Sequence, residues 1–356
     1  MTQTNEQLAH LCAAIAPLDE AAMAEAQARQ AQLTKPPGSL GRLESLSVQL
    51  AGITGQAQPQ VERKVVIVLA GDHGVVAEGV SAYPSDVTAQ MVLNFVRGGA
   101  AINVLARQAG AQVIVADVGI AADLPPHLDV LDYKIARGTA NFVQGPAMSR
   151  QQAARAIQAG VEIVADQIDQ GLDLVATGEM GIGNTTPASA ITAVYTGLPV
   201  AEVTGRGTGV DDEGLARKVE VIKRALARHQ PDPGDPLGVL AAVGGFEIGA
   251  IAGVCLGAAS RRVPVVVDGF ISAAGALIAA ALCPAVRPYL IASHLSVERG
   301  HRALWRALGL TPLLDLDLRL GEGTGAVLAM HLVDAACRIL SEMVTFADAG
   351  VSGPQD

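Results

Sequence analysis

Aromatic side chains are nearly missing from this chain of 356 residues, where Phe, Tyr and Trp make up 3% and Trp occurs once. Since hydrophobic residues still account for 50%, the core has to be built from Ala, Val, Leu and Ile. Basic charge is also short: the formal net charge is −10, and no basic run interleaved with aromatics occurs. Both absences argue against a nucleic-acid partner. A local positive site for a small anion remains open. Cys12, Cys255, Cys283 and Cys337 are scattered without CxxC or zinc spacing. The last three lie in apolar helical segments and are expected as buried free thiols. No apolar run approaches the ~20 residues of a membrane span. The most apolar, Ile271 to Cys283, is short and stopped by Pro284. No cationic leader followed by an apolar run opens the sequence, so the expected location is the cytoplasm.

Glycine, by contrast, is abundant at 39 residues, which suits helices packed tightly on a parallel sheet. Strand-like segments are Lys64–Ala70, Gln112–Val118, Leu172–Ala176, Val263–Asp268, Pro288–Ala292 and Leu313–Leu320. Helical patterns separate them, clearest in Ser149–Asp169, where Ser149 and Gln152 form a capping box. Ile157, Val161, Val164 and Ile168 then recur at helical spacing. This alternation predicts an α/β fold with a doubly wound parallel sheet. The ends differ: residues 5–34 are helical, with Asp19 as an N-cap, and Pro36-Pro37-Gly38 breaks the pattern. A helix from Thr324 to about Thr345 has no strand after it, and the tail from Gly350 is expected to fray. The expected organisation is a large α/β domain, 36–325, and a small helical domain, 1–35 plus 326–356.

The acid–glycine junctions carry the chemistry. Leu314, Leu316, Leu318 and Leu320 alternate as in a strand, and Gly321-Glu-Gly-Thr-Gly325 follows. Glu322 is therefore expected at the carboxyl end of a strand, the edge where open α/β sheets bind ligands. Gly321 and Gly323 leave its carboxylate uncovered, which makes it a candidate general base. Ala70-Gly-Asp-His-Gly74, Thr177-Gly-Glu-Met-Gly181 and Asp268-Gly-Phe270 have the same form. Asp72, Glu179, Asp268 and Glu322 are accordingly expected to converge on one ligand site.

Two glycine loops fit a phosphate. Gly181-Ile-Gly-Asn-Thr-Thr-Pro187 leads into a helix, and its glycines and free N–H groups favour an anion. Gly181, Gly183, Asn184 and Thr185 are the candidates there. Thr204-Gly-Arg-Gly-Thr-Gly209 precedes a helix that carries Lys218, so Arg206 and Lys218 are candidate phosphate cations. The first loop is not a Walker A motif, and neither the Gly181 run nor the Gly321 run matches the dinucleotide fingerprint, which disfavours an NAD-linked oxidoreductase. No Gly-x-Ser-x-Gly elbow exists for a serine hydrolase. A metal hydrolase using Asp72, His73, Asp268 and His294 stays open, though their spacing fits no ligand pattern. A binding protein without catalysis also stays open, but it leaves an uncovered carboxylate between glycines unexplained.

Longer motifs resemble one family. They include Lys35-Pro-Pro-Gly-Ser-Leu-Gly-Arg-Leu-Glu44, Tyr83-Pro-Ser-Asp-Val-Thr-Ala-Gln-Met91, Gly98-Gly-Ala-Ala-Ile-Asn103, Gly178 to Pro187, Ser293-His-Leu-Ser296 and Arg319 to Gly325. In order from about residue 35 to 330, they are similar to the nicotinate-nucleotide–dimethylbenzimidazole phosphoribosyltransferases. The resemblance implies transfer of the phosphoribosyl group of nicotinate mononucleotide to 5,6-dimethylbenzimidazole, in assembly of the cobalamin nucleotide loop. It further implies a Rossmann-like sheet with a small helical domain, a homodimer, and neither metal nor organic cofactor. By resemblance the general base is Glu322, the phosphate site is the loop after Glu179 with Lys218, and the base pocket lies around Tyr83, Gln90 and Met91. Glu179 is the candidate to ease positive charge developing on the ribosyl group, with Asp268, Gly321 and Gly323 in the same site.

Overall fold

The computed structural model describes residues 2–352. The last part of the tail expected to fray, 353–356, lies outside the described residues. Six strands form one sheet: β1 (Lys64–Gly71), β2 (Ala111–Gly119), β3 (Leu131–Asp132), β4 (Leu174–Met180), β5 (Val265–Val267) and β6 (Leu290–Ala292). Their order is β3-β2-β1-β4-β5-β6, and every pairing is parallel. The doubly wound fold expected from the alternation is therefore present. After β1 the chain builds outward through β2 and β3, then returns to β4 on the other side of β1. The crevice between the carboxyl ends of β1 and β4 is the topological switch point where such sheets bind ligands.

β1 shows why the sheet needs two apolar faces. All of its residues are buried, and successive side chains point to opposite sides. Val65, Ile67 and Leu69 join a cluster with the helices Arg150–Asp169, Phe246–Ser260 and Phe270–Leu282. Val66, Val68 and Ala70 join another with Arg42–Thr54, Ala101–Ala109 and Thr324–Glu342. The scarcity of aromatics is answered by closeness. A Cβ on Gly253 would lie 1.8 Å from the Ile157 carbonyl oxygen, so the helices Arg150–Asp169 and Phe246–Ser260 touch backbone to backbone.

The predicted caps form. Ser149 and Gln152 make the capping box, and the Asp19 carboxylate accepts the Ala22 N–H at 2.9 Å. Cys255, Cys283 and Cys337 are buried free thiols. The helix Thr324–Glu342 is apolar and long enough to cross a membrane by composition, but Val327, Met330 and Val333 are buried in the cluster on the sheet. Its far end meets the N-terminal helices: Ala26, Val48, Ala51 and Leu340 form a separate small cluster. Arg29 donates to the carbonyls of Leu340, Ser341 and Met343, and Leu33 bridges to Thr345.

One expected strand is corrected. Of Leu313–Leu320 only β8 (Leu314–Asp315) is extended and paired, to β7 (His294–Leu295), in a separate two-stranded sheet. Asp317 has a φ of +54°, which turns the chain out of the extended path. Leu316 and Leu320 stand 52% and 58% exposed, so the leucine alternation does not mark a buried face. Glu322 therefore ends a loop rather than a strand. The strand expected to end at Ala176 instead continues to Met180, placing Glu179 within β4, opposite Leu69 of β1. Shorter differences occur at β6, where Pro284–Tyr289 is a 3₁₀ turn, and at β3, which the sequence pattern does not reveal.

Candidate active site

A cavity of about 460 Å³ opens over the carboxyl ends of β4 and β5. Its wall comes from the helix Asp86–Val96, the loop after β4, the loop 205–208, the segment after β7 and the loop before Thr324. Among the expected residues, Tyr83, Met91, Glu179, Gly181, Asn184, Thr185, Gly321 and Glu322 line it.

The acid side is built from backbone devices. Gly321, Glu322 and Gly323 have φ of +86°, +65° and +95°, three left-handed residues in succession. For a glutamate this conformation costs on the order of 1 kcal/mol. It is held because neighbouring backbone closes on it from two sides. Gly178 in β4 lets the loop approach: a Cβ there would lie 2.5 Å from the Glu322 carbonyl oxygen. On the far side the Asp268 carboxylate accepts the Gly323 N–H at 3.1 Å and the Ala326 N–H at 2.9 Å. Asp268 and Gly323 thus stand behind the wall, where Asp268 secures the start of the helix Thr324–Glu342.

Glu322 itself is 5% exposed, and its Oε2 accepts the Ile102 N–H at 3.3 Å, at the start of the helix Ala101–Ala109. Burial raises the Glu322 pKa, the Ile102 N–H opposes that shift, and the charge of Asp268 adds to it. Glu179 is pushed up to about 8, first by burial and then by Asp268, Glu247 and Glu322, against a hydrogen bond donated by Asn184. At neutral pH Glu179 therefore keeps its proton. A Cβ on Gly321 would lie 2.3 Å from Glu179 Oε1, so only glycine lets the two acidic segments stack.

Behind the opposite side, next to the lining residue Thr185, lies a buried cation. Lys218 is wholly buried, and its Nζ donates to Thr185 Oγ1 at 2.6 Å and to the Gly205 carbonyl at 3.4 Å. Burial pulls its pKa down to about 8, and Glu298 partly restores it. Thr185 begins the helix Thr185–Thr196, with Asn184 as its N-cap.

Other expectations part from the wall. Gln90 is exposed, whereas Val87 and Met91, one turn apart on the same helix, face the cavity. Arg206 turns outward to Asp212 and the Val210 carbonyl. Gly183 supports its loop at φ +89°, packed on Val76. Asp72 does not join the other acids: its Oδ2 accepts the Ala121 N–H at 2.8 Å, on the β2 side of β1. His73 is paired with Glu247 at 2.9 Å, while His294 lies 3.9 Å from Asp268. Among the described residues no three His, Cys, Asp or Glu side chains cluster as a metal ligand set. Sequence reasoning passed over Thr208, Phe270, Glu298 and the N–H of Ile102. Phe270 and Ile102 lay within motifs that carry the family resemblance; Thr208 and Glu298 did not.

The family model described as phosphoribosyltransferase matches residues 15–351. A nicotinate-nucleotide–dimethylbenzimidazole phosphoribosyltransferase of Roseiflexus sp. (strain RS-1) is 65% identical over 346 residues, covering 97% of this chain and 98% of that relative. The chain belongs to the nicotinate-nucleotide–dimethylbenzimidazole phosphoribosyltransferase family. A second member, from Geobacter metallireducens, is 54% identical and covers 100% of both chains. A crystal structure of the phosphoribosyltransferase from Thermus thermophilus superimposes with a TM-score of 0.90 at 53% identity, covering 95% of this chain and 100% of that one. In this phosphoribosyltransferase the matched region contains every wall segment of the cavity.

Proposed function

We propose that the chain transfers the phosphoribosyl group of nicotinate mononucleotide to 5,6-dimethylbenzimidazole, giving α-ribazole 5′-phosphate and nicotinate for the cobalamin nucleotide loop. The observation that carries the mechanism is the pairing of Glu322, buried and left-handed on one side, with Thr185 and Lys218 on the other. In this reading the ribose phosphate lies between them, with its C1′ toward the acids. A ring nitrogen of the acceptor attacks C1′ with its lone pair while the bond to nicotinate breaks. Attack from the face opposite nicotinate inverts C1′ from β to α.

The other ring N–H of the acceptor becomes acidic as the new bond forms, and Glu322 accepts its proton. A free carboxylate, with a pKa of about 4.3, is a weak base. Burial and the charge of Asp268 strengthen this one. Glu179, whose burial favours the neutral acid, lies on the same side, and its carboxyl oxygens face the positive charge developing on the ribosyl group. Nicotinate leaves with a neutral pyridine ring, so no strong acid is required. Lys218 and the loop 181–185 hold the phosphate. Tyr83, Val87 and Met91 form the apolar wall for the acceptor.

The same reading carries a cytoplasmic homodimer, in keeping with the exposed Tyr83 and Leu320, which both line the cavity. It also carries a small helical unit formed by the two chain ends, supported by the contacts of Arg29 and Leu33 with 340–345. Incubation with the mononucleotide and 5,6-dimethylbenzimidazole should release nicotinate only when the base is present, with a product of α configuration at C1′ by mass and NMR. Nicotinate release without base, or no release at all, would overturn the reading.

A further inference from the structure

The cation side of the cavity is already engaged by an anion of the chain itself. Glu298, 8% exposed, lines the cavity, and its Oε1 accepts the Gly207 N–H at 3.0 Å. Its Oε2 is buried and, among the described residues, has no hydrogen-bond partner. Gly207 adjoins the lysine: a Cβ on it would lie 2.5 Å from Thr185 Oγ1 and 3.0 Å from Lys218 Nζ. Three donors therefore meet in one corner: the Gly207 N–H, the Thr185 hydroxyl and the Lys218 ammonium. An N–H, an O–H and an ammonium are what a phosphate monoester asks of its seat.

Glu298 is also fitted closely to this loop, since a Cβ on Gly205 would lie 1.9 Å from its Oε2. A carboxylate serving only to brace the loop would be expected to use both oxygens, because an unpaired buried acceptor costs about 1–3 kcal/mol. Here one oxygen takes the loop amide and the other is left with nothing.

We infer that Glu298 is an internal stand-in for the substrate phosphate, occupying the Gly207 amide in the unliganded enzyme and surrendering it when the phosphate arrives. The inference rests on the reading of this corner as the phosphate site. It makes Glu298 a specificity residue. A dianionic phosphate meets Lys218 strongly enough to displace a single carboxylate charge, whereas a monoanion or an uncharged 5′-hydroxyl does not. The seat is thereby kept from weak anions without being closed to the mononucleotide.

The test is titration calorimetry on the full chain with three probes: inorganic phosphate, nicotinate mononucleotide and its dephosphorylated riboside. In Glu298→Gln and Glu298→Ala the mononucleotide and inorganic phosphate should each bind roughly tenfold more tightly, since a nearby like charge is gone. The riboside should change by less than about twofold. Weaker or unchanged phosphate binding in both variants would overturn the stand-in role. Lys218→Ala separates this failure from that of the phosphate site: equal losses for mononucleotide and riboside would remove the site itself. The unaltered protein gives an independent check, because phosphate should shift the Gly207 amide resonance and slow its hydrogen exchange. A Gly207 amide indifferent to saturating phosphate would also sink the inference.

Discussion

The two sides of the cavity bury charge in opposite ways. On one, Glu179 and Glu322 share a small space with Asp268 and Glu247 close behind, and among the described residues neither Glu179 nor Glu322 has a salt-bridge partner. On the other, Lys218 is wholly buried with neutral oxygens as its hydrogen-bond partners. Burial, reinforced by neighbouring carboxylates, drives the acids up, Glu179 to about 8, and burial drives the lysine down, also to about 8, with Glu298 opposing. Glu179 is thus held away from its ordinary charge, and Lys218 holds its own less firmly, until a partner arrives. For the acids that partner is a cationic ribosyl carbon and an acidic ring N–H, for the lysine a phosphate. The difference teaches that one side is built to change protonation during the reaction and the other to bind before it.

The contrast can be broken by experiment. Its largest test is Glu322→Gln, which should lower kcat by about 10²–10⁴-fold while the mononucleotide still binds. Turnover within a few-fold of normal at saturating substrates would remove the general base. Next comes Lys218→Ala, expected to raise KM for the mononucleotide by about 10–100-fold through loss of a charge-assisted hydrogen bond, and to affect the riboside far less. A kcat loss as large as that of Glu322→Gln would mean the two sides are not separable.

A third test uses pH. The Glu179 pKa is about 8 in the folded chain, against 4.5 for an ordinary glutamate, so the native state binds the extra proton between those values. Its contribution to stability is fully present below about 4.5 and is lost as pH rises toward 8. Glu179→Gln, which cannot ionise, should therefore gain on the parent protein by on the order of 1–3 kcal/mol between pH 5 and 8 in urea unfolding. A constant difference across that range would show that Glu179 is already ionised. The smallest test concerns the acceptor wall. Met91→Ala should raise KM for the base by several-fold and Gln90→Ala by less than about twofold, and the reverse order would put Gln90 back at the wall.

Much of this was legible in the sequence, for identifiable reasons. Val65 to Ala70 and Leu174 to Ala176 are continuous apolar runs because both faces of their strands are covered, and that alone announces a parallel sheet. Glu322 was legible through its flanking glycines, which are there for a left-handed path that leaves few alternatives. What misled was the leucine alternation before it. Period two marks a strand only when one set of side chains is buried, and Leu316 and Leu320 are not. Asp268 lies in the expected neighbourhood but behind the cavity wall, and a carboxylate that secures a helix start has the same sequence signature as one that meets a ligand. Glu298 gave no signal: its significance lies in the Gly207 amide, 91 positions away in the chain.

The left-handed backbone at Glu322 has a further consequence. Glycine or asparagine would sit there more comfortably than glutamate, and neither would add a buried acid to a crowd of others. Losing the base should therefore cost the fold little and could strengthen it, so stability and activity pull in opposite directions at this residue. A screen for heat-resistant variants made blind to turnover would be expected to collect well-folded, inactive proteins altered at 322.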